Sequence, residues 1–286
     1  MVVTRGSSVT APQGNSAFEP SPDLNRLPWT ALPVDSLALA KRQILHIIRT
    51  PQAAVAAVTS PILFLTLFRY VFGGAIPIPG MTYVDYIVPA MLVQNVVFGG
   101  FTSATGLATD AADGIIDRFR SLPSPRAALL SGRALADVLQ QFVAHALCLV
   151  AGIAIGFRFH ASVGDILLSF AMLLVIGLGT FSLFAFLGLA ARNAETVNAL
   201  TAPGFLMVFV SSAFIPVSTL PGWLQGFARY QPVTIFTDTL RTLMQKSQVS
   251  QVLEHSTAWY ATASVAWCVV LTVIGGALAL RAYRKV

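Results

Sequence analysis

At 286 residues, with 55% hydrophobic and only 10% charged residues and a mean hydropathy of +0.72, the chain lacks the polar surface that a water-soluble domain needs. The same arithmetic excludes disorder, collagen and disulfide scaffolds, and leaves an integral membrane protein. The net charge of +6 is no nucleic-acid footprint, because Lys and Arg recur at the ends of apolar runs rather than on one face.

Residues 1–35 are polar and rich in proline, with no apolar run near the start, and read as a disordered cytoplasmic tail. Over 36–50, SLALAKRQILHIIRT sets Leu37, Ala40, Ile44, Ile47 and Ile48 at helical spacing, with Lys41, Arg42 and Arg49 off that stripe. This is the pattern of an amphipathic helix lying in the headgroup layer; the alternative is the cytoplasmic end of one long first span. Six segments then have the length and apolarity to cross a bilayer, near 52–72, 86–108, 134–157, 166–190, 196–216 and 258–281. Cys148 and Cys268 fall inside these runs and read as small buried hydrophobes. The predicted fold is an all-α integral membrane domain over 36–286.

Orientation follows from the basic residues between spans. With the N-terminus inside, only Arg69, Arg158, Arg229, Arg241 and Lys246 of the 18 Lys and Arg face outward, so both termini are predicted cytoplasmic. The stretch 217–250 is too long and too apolar for a plain loop. Pro216, Pro221 and Pro232 punctuate short helical patterns there, and Trp223 and Tyr230 suit the interfacial belt. It reads as re-entrant short helices whose broken backbone is covered by protein rather than lipid.

No Gly-Lys dipeptide, HExxH, CxxC or GxSxG occurs, so the sequence offers neither a phosphate-cradling loop nor a catalytic set, and no metal site is expected. Between the second and third spans, residues 110–120 place Asp110, Asp113 and Asp117 against Ile115, Ile116 and Phe119, with Arg118 and Arg120 following before Pro123. That is a short amphipathic helix at the cytoplasmic face, or an ordinary charged loop.

Three stretches carry a family resemblance. They are Asp113-Gly114-Ile115-Ile116-Asp117-Arg118-Phe119-Arg120-Ser121-Leu122-Pro123 with Ser131-Gly132-Arg133 and Asp137; Gly156-Phe157-Arg158-Phe159; and Phe214-Ile215-Pro216-Val217, Leu220-Pro221-Gly222-Trp223-Leu224, Gln231-Pro232-Val233 and Leu240-Arg241. On these the chain resembles the permease subunits of ABC-2 type exporters, in particular the daunorubicin-resistance branch that exports drugs and lipids. One departure is Gln231 before Pro232, where many relatives have Asn-Pro. The resemblance implies a non-catalytic permease of the bacterial plasma membrane, exporting a hydrophobic or amphipathic drug or lipid. ATP and Mg would sit on a separate nucleotide-binding subunit, with nothing bound by this chain itself. A second permease, identical or similar, would complete the assembly. Residues 113–120 would belong to the coupling helix, with Ile115, Ile116 and Phe119 as apolar anchor and Asp117, Arg118 and Arg120 as rim.

In the third span Arg133, Asp137, Gln141 and His145 recur at i, i+4 steps and form one stripe. With Gln94 and Asn95 of the second span they could line the translocation path; the bland reading is interhelical hydrogen bonding, which a lone histidine favours. Gly152 and Gly156 likewise read as a packing pair. Two other functions stay open: a polysaccharide-exporting permease, and an ion-coupled carrier using Asp137 and His145.

Overall fold

The computed structural model describes residues 59, 62–114, 126–191, 193–246 and 248–285, with the backbone alone over 126–137 and at 139, 250 and 283–285. All regular structure among them is helical. In chain order the helices are α1 (Ile62–Phe72, ending in a π-helical turn over Phe68–Phe72), α2 (Tyr83–Ala112), α3 (Arg126–Ile155), α4 (Val163–Ala191) and α5 (Ala194–Phe209). Then come the short α6 (Gly222–Tyr230) and α7 (Pro232–Gln245), and finally α8 (Thr257–Lys285). The tail 1–35 and the interfacial helix at 36–50 lie outside the described residues.

Three helices, α2, α4 and α8, are long and apolar enough to cross a membrane. They cover the spans expected at 86–108, 166–190 and 258–281. The segment expected at 134–157 overlaps α3, which begins earlier, at Arg126, and ends at Ile155. The segment expected at 196–216 stops short. Helix α5 ends at Phe209 after 16 residues, and the chain leaves helical geometry before Pro216. Of the segment expected at 52–72, Ile62–Phe72 is helical.

Local chemistry sets the boundaries. Thr82 caps α2, its Oγ1 accepting from the Asp85 amide at 3.2 Å, and Asn193 caps α5 by accepting from the Thr196 amide at 2.7 Å. Pro216 precedes the 3-10 turn Val217–Thr219, Pro221 precedes α6, and Pro232 opens α7, where its missing N–H has no helical partner to lose. Each proline in the expected re-entrant region therefore begins an element.

Helix α2 is the most enclosed of the three long helices and α8 the least. Helices α4 and α8 share the most extensive contact in the bundle. Glycines bring them together: a Cβ on Gly179 would lie 2.9 Å from the Cys268 Cα, and one on Gly275 would lie 2.6 Å from the Leu183 nitrogen. Because those neighbours are backbone, Gly275→Val is expected to cost about 1–3 kcal/mol by forcing the helices apart. Gly276→Val, where a Cβ meets nothing within 4 Å, is the near-neutral control. Thermal unfolding of the two variants in micelles checks the difference. The Gly152/Gly156 pair divides its work. A Cβ on Gly152 would lie 3.0 Å from Val88 of α2, whereas Gly156, at φ +117°, turns the chain out of α3 and has nothing within 4 Å.

The starts of α2, α4 and α8 and the end of α3 gather at one end of the bundle around α6 and α7. Arg158 there meets Asp85, His160 meets Gln245, and Lys246 meets Asp165. Helix α7 is threaded between α2, α4 and α8, and every residue from Val233 to Gln245 is buried. Beside it, Phe68, Phe209 and Phe214 stack in series with centroids 4.5 Å apart.

Candidate functional site

At the α7 end a non-helical stretch, 210–216, lies among packed helices, with Ser211, Ser212, Ala213 and Phe214 buried. Such backbone persists at membrane depth only if protein groups satisfy it. Helix α7 does this with one face. Gln231, Thr234, Asp238 and Arg241 follow one another at steps of three and four residues, so their side chains project to the same side. Gln231 Nε2 donates to the Met207 and Val210 carbonyls, at 3.2 and 3.0 Å, and so caps the end of α5. Thr234 Oγ1 accepts from the Ser212 amide at 3.1 Å.

Arg241 is fully buried and has no unused donor. Nε donates to the Tyr86 carbonyl at 2.9 Å. Nη1 donates to Asp238 Oδ1 at 2.8 Å and to Ser212 Oγ at 3.0 Å. Nη2 donates to the Ser212 and Ala213 carbonyls at 2.8 and 3.0 Å. Its five N–H groups therefore join α7, α2 and the break after α5. The guanidinium also lies 3.5 Å over the Tyr86 ring. From α2, the Tyr86 and Tyr83 hydroxyls donate to the Ser212 and Phe214 carbonyls at 2.6 and 3.2 Å. Asp238 Oδ1 accepts in addition from Ser212 Oγ at 2.8 Å. A buried arginine with a single carboxylate partner would be costly; here the remaining donors all find oxygens.

A second latch secures the turn between α3 and α4. The Arg158 amide donates to Asp85 Oδ1 at 3.0 Å, and Gln245 Nε2 donates to the Arg158 carbonyl at 3.0 Å. The Arg158 Nη1 caps α3 by donating to the Ile153 and Phe157 carbonyls, while Phe157 itself is fully buried. This accounts physically for the Gly156-Phe157-Arg158-Phe159 stretch. Above the Arg241 network lies a cavity of about 70 Å³, walled by Tyr86, Asp238, Tyr230, His255, Trp259 and Tyr260, with the exposed Arg229–Glu254 ion pair, 3.0 Å long, among its lining residues.

The sequence-predicted residues are distributed as follows. Lys41, Arg42, Arg49, Ile115, Ile116, Asp117, Arg118, Phe119 and Arg120 lie outside the described residues, as does the side chain of Asp137. Asp113 and Gly114 are described and correct the expected coupling-helix boundary. Asp110 is still inside α2, Asp113 is its C-cap, and Gly114 adopts φ +67°. Gln141 lies between α2 and α4, where a Cβ on Gly99 or Gly177 would approach it to 3.4 Å. His145 is buried, and its Nε2 donates to the Leu92 carbonyl at 3.1 Å. Asn95 faces Cys148 one turn further along α3. Gln94 Oε1 and Asn95 Nδ2 are buried with no hydrogen-bond partner among the described residues. Pro216, Pro221 and Pro232 start elements, and Trp223 is 82% exposed on α6. Replacing His145 by leucine is expected to cost about 1 kcal/mol, the size of an interhelical hydrogen bond in a membrane protein, read as unfolding in micelles.

The count of basic residues between spans puts Arg241 on the outer side of the membrane, and nothing local in the sequence singles out Asp238 as its partner. The available signal was the Asp-x-x-Arg spacing on a short helix that is otherwise apolar and threonine-rich.

The family model described as ABC-2 type transporter matches residues 35–244. The chain is 31% identical over 238 residues, 82% of this chain and 81% of the relative, to the daunorubicin resistance ABC transporter permease protein DrrB1 of Streptomyces coeruleorubidus. It is 24% identical over 220 residues, 77% of this chain and 80% of the relative, to the probable doxorubicin resistance ABC transporter permease protein DrrC of Mycobacterium tuberculosis. With the doxorubicin resistance ABC transporter permease protein DrrB of the same species it shares 30% over 200 residues, 66% of this chain and 68% of that one. With its apolar helical bundle and matches of this extent, the chain belongs to the ABC-2 type transporter family, as a multi-pass membrane permease homologous to drug-resistance ABC permeases.

Proposed function

We propose that this chain is the membrane subunit of an ATP-driven exporter that moves a hydrophobic or amphipathic drug or lipid out across a bacterial plasma membrane. The observation that carries the reading is the match over four fifths of both chains to a daunorubicin-resistance permease. The domain, 36–286, has six spans with both termini cytoplasmic, follows a disordered tail over 1–35, and places the α7 end outside. Residues 217–250 form the re-entrant region. A partner ATPase subunit binds ATP and Mg. It receives the coupling segment, with Asp113 and Gly114 as the hinge out of α2 and Ile115 to Arg120 as the docking surface. Lys41, Arg42 and Arg49 hold the amphipathic helix at the same face, and a second permease completes the path. Gln94 and Asn95, which carry buried polar atoms without partners among the described residues, line that path with Asp137, Gln141 and His145.

The test is ATPase activity of this chain co-purified with its candidate ATPase in lipid, followed by efflux of a fluorescent amphipathic drug from loaded vesicles. Stimulated turnover with drug-dependent efflux supports the reading. A chain that binds no ATPase sinks it.

A further inference from the structure

The cavity at the α7 end has a floor whose chemistry is one-sided. Arg241 offers nothing to a ligand, because it is fully buried and its five N–H groups are committed. The Tyr86 hydroxyl is committed as a donor to the Ser212 carbonyl, and the Ser212 hydroxyl to Asp238. Both donors to the Asp238 carboxylate, Ser212 Oγ and Arg241 Nη1, land on Oδ1. Oδ2 is therefore the acceptor that Asp238 has left for the cavity it lines.

The walls add a second, independent feature. His255 stacks on Trp259 with centroids 4.1 Å apart, Trp259 meets Tyr260 edge-on at 5.1 Å, and Tyr230 also lines the cavity. A carboxylate oxygen beside aromatic faces is the chemistry that holds an organic cation, through a charge-assisted hydrogen bond and cation–π attraction. Neither guanidinium lining the cavity is free to hold an anion, since Arg241 is fully buried with its donors spent and Arg229 is paired with Glu254. At about 70 Å³ the cavity has room for roughly five waters, or for an ammonium group and its first carbons.

We propose that this cavity is a binding site for an organic ammonium group, with Asp238 Oδ2 accepting an N–H and Trp259 and Tyr260 flanking the cation. The inference rests on the export reading only for the side of the membrane it faces, the outer one; the binding chemistry stands without it. An ammonium could come from a soluble amphipathic amine or from an ethanolamine lipid headgroup.

The experiment is calorimetric titration of the purified full chain in maltoside micelles with phenethylammonium, its uncharged N-acetyl amide and the anion phenylpropionate, each against empty micelles. The expected result is that the ammonium binds at least about tenfold more tightly than the amide, with no binding of the anion. Asp238→Asn is expected to abolish that preference, and Trp259→Leu to weaken ammonium binding about fivefold. Should Asp238→Asn fail to run as a single species on gel filtration, the charge series on the natural chain and the Trp259→Leu variant still decide. Equal binding of amide and ammonium, or tighter binding of the anion, overturns the site, and so does a folded Trp259→Leu variant that binds the amine unchanged. Repeating the titration with phosphatidylethanolamine in the micelles separates the sources. Competition makes the headgroup the occupant, and an unchanged affinity makes it a soluble amine; both leave the ammonium site standing. Because no ATPase or transport step enters the measurement, a chain that binds the amine yet recruits no ATPase would leave this site intact while the export reading fails.

Discussion

Arg241→Met is expected to destabilise the protein by about 3–5 kcal/mol, enough to remove most folded material. Three effects act together. The Asp238 carboxylate loses its ionic partner in a buried site, and breaking one side of a buried pair costs that much by itself. The Ala213 carbonyl loses its donor, and the Ser212 carbonyl keeps only Tyr86. The Tyr86 ring also loses the cation over its face. Arg241→Lys keeps the charge but cannot serve acceptors on three segments at once, because an ammonium lacks the planar fork. It is expected to fall between the natural chain and methionine. The double variant Arg241→Met/Asp238→Leu removes the stranded carboxylate and is expected to recover part of the loss, though not the part due to the orphaned carbonyls. Denaturant unfolding in micelles, with the yield of monodisperse protein, reads all three. A loss under about 1 kcal/mol for Arg241→Met would show that the break after α5 does not depend on this network.

Truncating the proposed coupling segment is expected to separate the permease from the proposed ATPase subunit while leaving the bundle folded. Ile116→Ala with Phe119→Ala removes the proposed apolar anchor. If each side chain behaves as an interface hot spot worth about 2 kcal/mol, association weakens by about 10²–10³-fold. Asp117→Arg with Arg118→Glu reverses the rim and is expected to weaken docking less in saturating partner, with a larger effect on the rate of encounter. The hinge offers a subtler variant. Gly114 holds φ +67°, so Gly114→Val strains the exit from α2 by about 1–2 kcal/mol and re-aims the segment. The readouts are pull-down of the ATPase and stimulated ATP turnover, with circular dichroism confirming the helices. If the double-alanine variant binds and stimulates the ATPase as the natural chain does, the coupling assignment is lost.

Much of the bundle was legible because bilayer-crossing helices announce themselves locally. The apolar runs of α2, α4 and α8 are long enough that composition alone marks them, and Pro216, Pro221 and Pro232 punctuate the chain wherever a helix cannot continue. The ends were less legible. Asp110 reads as the start of a new amphipathic helix, yet α2 continues through it to Ala112, because nothing before Gly114 forces the backbone to turn. At the other end, 210–216 reads as the tail of a span, but α5 stops at Phe209, where Gln231 supplies the cap its last carbonyls need.

Composition and periodicity by themselves determined the membrane class, the long apolar helices and the family stretches, since each depends on residues that are neighbours in the chain. The fate of Arg241 was decided only by the tertiary structure. A basic residue on a short amphipathic helix reads as an outward charge, and its acceptors lie 29 residues away at Ser212 and 155 residues away at Tyr86. Whether a guanidinium faces water or seals a broken backbone depends on which carbonyls packing brings within about 3 Å, and no local pattern encodes that.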